Sequence, residues 1–237
     1  MEPQARMVRR TSAGADRRSR RRLLLCALGA LLVAACSFRR APEPPTAREA
    51  ASAVVSPEEK LADSLKTYTD EVQASPDDSG AHYNLGVAYA AVGRWEDAAA
   101  SYQEAIRLGA NLPRAHNNLC VAYAQLGRTD DAIAACKRAV AIEPSYAEAS
   151  YNLALIEARR DHWQEALGPA SDAVRLRPDL ARPHFLLAVI HNALGDPAAA
   201  EKERTALRAI DPDEAAELST FLSGADAAPD QAPGSSR

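Results

Sequence analysis

The sequence predicts an all-α fold built as a row of antiparallel helix hairpins. One eleven-residue phrase begins at Tyr83, Asn117, Tyr151 and Phe185, so four copies follow each other at equal steps along the chain. The chain is 47% hydrophobic but only 5% aromatic, a composition that favours close helix packing. A short unit that cannot bury its apolar face alone must stack against further copies, and the copies together form a core.

The start of the chain is predicted to be an export signal, residues 1–35. Residues 1–22 are rich in arginine, and a short, uninterrupted apolar run follows at 23–35. A helix that spans a bilayer needs about 20 apolar residues, whereas a basic head with a short apolar stretch is typical of a secretory signal. Arg20 and Arg21 also resemble a twin-arginine motif, so the general secretion and twin-arginine routes both stay open.

The end of this signal predicts a lipid anchor. "VAAC", residues 33–36, resembles the bacterial lipobox, in which the cysteine receives lipid and becomes the new N-terminus. The resemblance implies that Cys36 is lipidated and that the protein faces the periplasm. Ser37 after the cysteine favours the outer over the inner membrane. The alternative is an ordinary signal with a chance cysteine.

A linker and a leading helix are predicted between the signal and the repeats. Residues 37–56 contain several prolines and no apolar period, which indicates a flexible spacer. Residues 57–76 are predicted to be helical, with Pro57 in the first turn. Tyr68 lies one full repeat period before Tyr102, so this helix is predicted to be the second helix of a degenerate unit.

Four hairpins are then predicted, in units 79–112, 113–146, 147–180 and 181–214. The predicted first helices are 79–92, 113–126, 147–160 and 181–194, and the second helices are 95–108, 129–142, 163–176 and 197–210. Glycine at the turns favours positive φ, and Asp161 takes that place in the third unit. A closing helix at 213–223 is predicted to cover the last hairpin with Leu218, Phe221 and Leu222, followed by a disordered tail, 224–237.

The repeat resembles the tetratricopeptide repeat (TPR) over about residues 79–214. The period matches, and equivalent positions hold Leu85, Leu119, Leu153 and Leu187, and Ala98, Ala132, Ala166 and Ala200. The resemblance implies a right-handed α-solenoid whose concave groove is lined by the first helices. Extended or helical peptides lie in that groove in this family.

The family's groove positions, carried over by period, give the candidate peptide-binding residues. They are Tyr83, Asn84 and Val87; Asn117, Asn118 and Val121; Tyr151, Asn152 and Leu155; and Phe185, Leu186 and Val189. Asn84, Asn118 and Asn152 form a ladder that could pair with a peptide backbone. Arg114, Arg159 and Arg182 could add positive charge. The alternative is that these asparagines reflect ancestry, because asparagine is usual at this position in the family.

Cys120 and Cys136 are predicted to form a disulfide. They lie eight residues on either side of Arg128, in the middle of the turn of their hairpin, so they come opposite each other in an antiparallel pair. An exported chain meets an oxidising compartment, in which such a pair is oxidised. The alternative is two buried thiols that serve as small apolar side chains.

Charge and motif content argue against several function classes. Subtracting the eight arginines and two acids of residues 1–35 from 28 basic and 32 acidic residues leaves 20 and 30, a net charge of −10. Nucleic acid requires clustered cations, so it is not an expected partner. His82, His116 and His184 share one repeat position, which favours packing over metal binding. No nucleophilic triad or glycine-rich phosphate loop is present, so no enzymatic activity, cofactor, metal or small-molecule substrate is expected.

The predicted function is therefore a lipid-anchored envelope scaffold that binds a protein or peptide in its groove. Similar lipoproteins help to assemble envelope complexes, including type IV pilus secretins, for which they act as pilot proteins. The alternative is a non-catalytic subunit that recruits or regulates an envelope enzyme acting on peptidoglycan or another glycan.

Overall fold

The structure, a computed structural model, describes residues 57–109 and 112–226, and this part is built from helices. The predicted signal, lipobox and linker, and the tail beyond residue 226, lie outside the described residues. The helices are α1 (Pro57–Ala74), α2 (Ser79–Ala91), α3 (Trp95–Gly109), α4 (Pro113–Gln125), α5 (Thr129–Ile142), α6 (Ala147–Arg159), α7 (Trp163–Leu176), α8 (Ala181–Leu194), α9 (Pro197–Ile210) and α10 (Pro212–Asp226). The all-α prediction is confirmed, and the eight hairpin helices end within one residue of their predicted bounds. The last helix, α10, extends three residues past its predicted end, into the predicted tail.

The hairpin turns share one backbone geometry. Gly93, Gly127 and Gly195 have φ of +74°, +73° and +82°, the left-handed region that costs glycine least. The next residue closes each turn: the N–H of Arg94 donates to the carbonyl of Tyr89 at 3.0 Å, and the other turns repeat this bond. This 6→1 bond satisfies a carbonyl at the helix end and reverses the chain tightly.

Side chains reinforce the first two turns. The Arg94 guanidinium lies 4.5 Å above the centre of the Tyr89 ring, and Arg128 lies 4.3 Å above Tyr123. A cation over an aromatic face is attracted by the negative charge of the ring face. The two residues joined by the closing backbone hydrogen bond therefore also interact through their side chains.

The third turn reaches the same geometry with different residues. Asp161 has φ +62°, in agreement with the prediction that aspartate would adopt the left-handed region here. His162 Nδ1 and Glu157 Oε2 are 3.0 Å apart, in the positions that hold arginine and tyrosine in the first two turns. A polar pair thus replaces the cation–π pair while the backbone stays the same.

The chain divides into two compact units at the end of α6, between Ile156 and Glu157. In the first unit the helices α1 to α5 pack in chain order, each on the next, and the first helices α2 and α4 also contact each other. In the second unit α7 packs on α8, α8 on α9, and α10 on both α8 and α9.

Small residues let the two helices of a hairpin approach closely, as the sequence predicts. A Cβ on Gly86 would lie 2.6 Å from the ring of Tyr102 on the facing helix, a distance that no side chain tolerates without movement. Tyr102 is only 2% exposed, and Ala98 and Ala105 beside it are fully buried. The tyrosine ring therefore occupies the space that the glycine leaves.

The second hairpin is joined by the disulfide between Cys120 on α4 and Cys136 on α5. Their Cα atoms are 5.3 Å apart, within the range that a disulfide requires, and both residues are fully buried. The bond closes a loop with a sequence separation of 16 residues across the turn. It links the helix that carries Asn117 and Asn118 to its partner helix.

Replacing both cysteines with alanine is expected to lower the free energy of unfolding by about 2–3 kcal/mol, since a loop of this length loses its restraint in the unfolded chain. Urea unfolding of the oxidised protein and of the Cys120→Ala/Cys136→Ala variant measures the difference. Wild type unfolded in reducing agent is the control and should approach the variant. Equal urea midpoints for oxidised wild type and variant would contradict the expectation.

The closing helix α10 completes the core of the second unit. Leu218 is fully buried in a cluster with Phe185, Val189 and Leu207, and Phe221 and Leu222 pack against this cluster. The rings of Phe185 and Phe221 lie 6.4 Å apart in a tilted arrangement. Leu218, Phe221 and Leu222 thus take the covering role that the sequence analysis predicts.

His184 joins α8 to α9 through a largely buried ion pair. Its Nδ1 lies 2.7 Å from Glu203 Oε2, its Nε2 lies 3.2 Å from the carbonyl oxygen of Pro178, and the His184 side chain is 7% exposed. Both partners are acceptors, so the protonated imidazolium alone can donate to both. The hydrogen bond to Glu203 raises the pKa of His184, whereas burial lowers the pKa of His116, at the same repeat position.

These opposite shifts predict opposite pH dependences. A raised pKa means that the contribution of His184 to stability is fully present below pH 6.5 and is lost as the pH rises through the folded-state pKa. The stability lost in His184→Gln should therefore be larger at pH 5.5 than at pH 9, as measured by urea unfolding. His116→Gln is the matched control, and its effect should change with the opposite sign. The same slope for both variants would contradict this account.

Candidate functional site

The candidate residues of the first unit differ in their solvent exposure. Those on α2 and at the start of α4 are the most accessible, and those on α6 are the least. Asn84 and Arg114 are exposed; Tyr83, Val87 and Asn118 are half-buried; Asn117, Val121, Tyr151, Asn152 and Leu155 are buried. The accessible part of the predicted face therefore lies on α2 and α4.

The candidate residues of the second unit are mainly apolar. Arg159 and Arg182 are half-buried, and Leu186 and Val189 are almost fully buried. Phe185 belongs to the core cluster that α10 covers, so its ring already contacts its own chain. A role for these residues in binding stays a prediction.

Four polar residues of the first unit form one hydrogen-bonded series across three first helices. Asn152 Nδ2 on α6 donates to Asn117 Oδ1 on α4 at 2.9 Å. Asn117 Nδ2 approaches Asn118 Oδ1 at 3.5 Å, and Asn118 Nδ2 donates to the hydroxyl oxygen of Tyr83 on α2 at 3.2 Å. We call Tyr83, Asn117, Asn118 and Asn152 the polar series.

The polar series shows that two residues of the predicted asparagine ladder form hydrogen bonds within the chain. Asn118 and Asn152 donate to residues of their own chain, and Asn84 is the ladder residue that is exposed. Within residues 57–109 and 112–226, Asn152 Oδ1 is buried and has no hydrogen-bond partner. Each bond between helices joins residues that are one position further apart than the repeat, so alignment by period did not reveal it. That these asparagines pair with a bound peptide stays a prediction.

Tyr146, which the sequence analysis did not include, interacts electrostatically with two of the candidate residues. It stands just before α6, is half-buried, and has its pKa raised to about 12, mainly by burial. Glu148, Tyr83 and Glu143 add to the increase in the pKa of Tyr146, and Arg114 opposes it. The preceding unit has Leu112 at the same position. A comparison of the repeats therefore did not identify the tyrosine as a candidate residue.

Charge is divided unequally between first and second helices of this unit. Helices α2 and α4 contain no aspartate or glutamate, and Arg114 is the one arginine or lysine in their sequences. Of the acids on these helices, Glu96, Asp97, Glu104, Asp130 and Asp131 lie on α3 and α5, and Glu148 lies in the first turn of α6. Arg114 is therefore on a helix without carboxylates, and the next first helix has an acid at the equivalent repeat position.

Other kinds of site were sought in the described part of the chain. No group of three or more histidine, cysteine or acidic side chains is placed there to hold a metal ion. His82 Nε2 lies 2.8 Å from the carbonyl oxygen of Pro76, the contact that His184 makes with Pro178, so both histidines pack on the preceding loop. None of the described helices has the length and apolar content required to cross a membrane.

Comparison with known sequences identifies the repeat. Models described as tetratricopeptide repeat match residues 113–146 and 181–202, and a model described as TPR repeat matches residues 90–127. No curated protein matches the chain at a significant level.

Solved structures of repeat proteins share the fold. A crystal structure of MamA is 20% identical with a TM-score of 0.58, and the match covers 72% of this chain and 98% of MamA. YrrB, described as a TPR protein with an unusual peptide-binding site, is 19% identical with a TM-score of 0.59, over 69% of this chain and 85% of YrrB. TTC0263, a TPR protein of Thermus thermophilus, is 18% identical with a TM-score of 0.55, over 70% of this chain and 90% of its own. The family models therefore identify tetratricopeptide repeats within residues 90–146 and 181–202 of this chain, and the solved structures share its fold.

Proposed function

We propose that this protein is a lipid-anchored scaffold of the bacterial cell envelope that binds a segment of a partner protein along its first helices. The observation that carries the proposal is the combination of exposed Asn84 and Arg114 with half-buried Tyr83 and Asn118 on two helices that lack carboxylates. YrrB, which shares the fold, is described as having a peptide-binding site, and this supports the proposal.

The chemistry of this surface suits an extended backbone. A carboxamide donates and accepts, so Asn84 can pair with a peptide N–H and C=O without reading the sequence of the peptide. The Tyr83 ring adds flat apolar area at a small entropy cost, because its position is already held by Asn118. Such a surface binds a partner and offers no group that would act on it, so we propose a scaffold and not an enzyme.

The disulfide supports a location outside the cytoplasm. Cys120 and Cys136 are bonded, and disulfides persist in oxidising compartments such as the periplasm. This agrees with the export signal and the lipobox at Cys36 that the sequence predicts. We propose that the protein is held by lipid at the outer membrane and there helps to assemble an envelope complex, as pilot proteins do for type IV pilus secretins.

Binding along the first helices is tested with a random library of dodecapeptides displayed on phage and selected on the full chain. The double variant Asn84→Ala/Asn118→Ala should retain at most a tenth of the selected phage, because it removes two amides that would pair with the peptide. Gln164→Ala, which removes an exposed carboxamide from a second helix, is the matched control and should retain them all. Circular dichroism and the urea midpoint confirm that the double variant is folded. Equal retention on both variants would refute the proposed binding face.

The anchor is tested in cells with Cys36→Ser, which removes the acceptor of the lipid. We expect the protein to shift from the membrane fraction to the soluble periplasmic fraction and to lose incorporation of labelled palmitate. The amount of assembled secretin multimer should fall at the same time, because the pilot would no longer deliver it to the outer membrane. Unchanged fractionation would contradict the anchor, whereas altered fractionation with unchanged multimer would contradict the pilot role alone.

A further inference from the structure

We propose that the hydroxyl group of Tyr83 donates a hydrogen bond to a main-chain carbonyl oxygen of the bound partner segment, and that the polar series sets the direction of this bond. The inference rests on the proposed function, because it names the chemical group of the segment that the first helices would recognise. It gives Tyr83 a role in specificity in addition to the apolar area of its ring.

Two contacts hold the Tyr83 side chain on α2. The centre of its ring lies 6.0 Å from the ring centre of Tyr102, which is itself only 2% exposed. Its hydroxyl oxygen accepts a hydrogen bond from Asn118 Nδ2 on α4 at 3.2 Å. Tyr83 is half-buried, so part of the residue remains accessible to a partner. The phenol is therefore positioned at both its ring and its hydroxyl before a ligand binds.

Every carboxamide of the polar series donates towards Tyr83. Asn152 Nδ2 donates to Asn117 Oδ1 at 2.9 Å, Asn117 Nδ2 approaches Asn118 Oδ1 at 3.5 Å, and Asn118 Nδ2 donates to Tyr83. A hydroxyl oxygen that accepts a hydrogen bond keeps its own hydrogen for another acceptor. Within residues 57–109 and 112–226 no acceptor is placed for that hydrogen. The series therefore ends in a donor at its accessible end.

The buried end of the series favours this direction over the reverse one. Asn152 is 4% exposed, and its Oδ1 is the atom that lacks a partner among the described residues of the series. In the reverse direction Tyr83 would donate to Asn118, and the amino group of Asn152 would lose its acceptor. A buried N–H group without an acceptor is rarer in proteins than a carbonyl oxygen without a donor. The observed direction thus leaves the less costly group unpaired and keeps the phenol hydrogen available.

A neutral carbonyl suits this donor better than a carboxylate does. The polar series consists of neutral side chains, and a carboxylate brought to a half-buried position loses more hydration than a neutral carbonyl loses. Asn84, the next residue of α2, is exposed and can pair with an adjacent peptide group of the same segment. An extended segment presents a main-chain carbonyl at every residue, whatever its sequence.

The first test replaces the acceptor in the ligand. A dodecapeptide selected by phage display on the full-length chain is synthesised with the oxygen of one peptide bond at a time replaced by sulfur, which is a weaker hydrogen-bond acceptor. Fluorescence anisotropy measures its affinity for wild type and for Tyr83→Phe, which removes the hydroxyl and keeps the ring. Tyr89→Phe is the matched control, because it removes the hydroxyl of another half-buried tyrosine on α2.

We expect sulfur at one position to weaken binding to wild type and to Tyr89→Phe about three- to tenfold, the usual effect of losing one hydrogen bond. Tyr83→Phe should bind the unmodified peptide more weakly by a similar factor. Sulfur at the sensitive position should then change the affinity for Tyr83→Phe less than about twofold, because the bond that it weakens is already absent.

The second test reverses the phenol. A carboxylate at position 118 can only accept, so in Asn118→Asp the hydroxyl of Tyr83 should donate to it and no longer to the peptide. We expect Asn118→Asp to bind about as weakly as Tyr83→Phe and to lose the same sensitivity to sulfur. Gln125→Glu adds the same charge to α4 and is the control, and the measurement at high salt screens that charge.

The outcomes separate this inference from the function on which it rests. A sensitive position that keeps its effect on Tyr83→Phe, or equal effects of sulfur at all positions, would overturn the inference and leave the binding face intact. Tighter binding to Asn118→Asp would also overturn it, because Tyr83 would then accept from a peptide N–H. Affinity that depends on an acidic side chain and not on sulfur would favour a carboxylate instead. The sulfur scan on wild type requires no variant to fold, and a selection that yields no binding peptide would refute the proposed function itself.

Discussion

The structure depends on how closely the two helices of each hairpin can approach. The alanine that begins the contact in the second helix is almost fully buried in every copy, at Ala98, Ala132, Ala166 and Ala200. A larger side chain there would separate the helices and expose the apolar stripe that neighbouring copies must cover. Because a single hairpin cannot bury that stripe, close pairing within hairpins is the condition for stacking between them.

Because this packing fixes the backbone, side chains outside the helix contact can differ from copy to copy. The turns show this, since the pair of Tyr89 and Arg94 becomes Glu157 and His162 in the third copy without a change in the closing hydrogen bond. The first helices show it as well. They carry a series of polar side chains in the first unit and apolar side chains on α8, which the closing helix covers. A repetitive fold thus presents different chemistry at equivalent positions, which is what recognition of a specific partner requires.

The polar series shows how the same residues can serve both packing and recognition. The bonds from Asn152 to Asn117 and from Asn118 to Tyr83 connect neighbouring first helices and so align them with one another. A carboxamide retains further donor and acceptor capacity after one such bond. The surface that would meet a partner is therefore held in place before the partner arrives, which reduces the entropy lost on binding.

The sequence by itself determined the helices, the turns and the facing of Cys120 and Cys136, because these follow from local patterns: the helical period, glycine at the turns, and symmetry about one turn. Tertiary structure alone decided which polar residues meet and that Phe185 packs against the closing helix. These contacts join residues on different helices. They depend on how far each helix is rotated and shifted against its neighbour, and the repeat period of the sequence carries no information about either quantity.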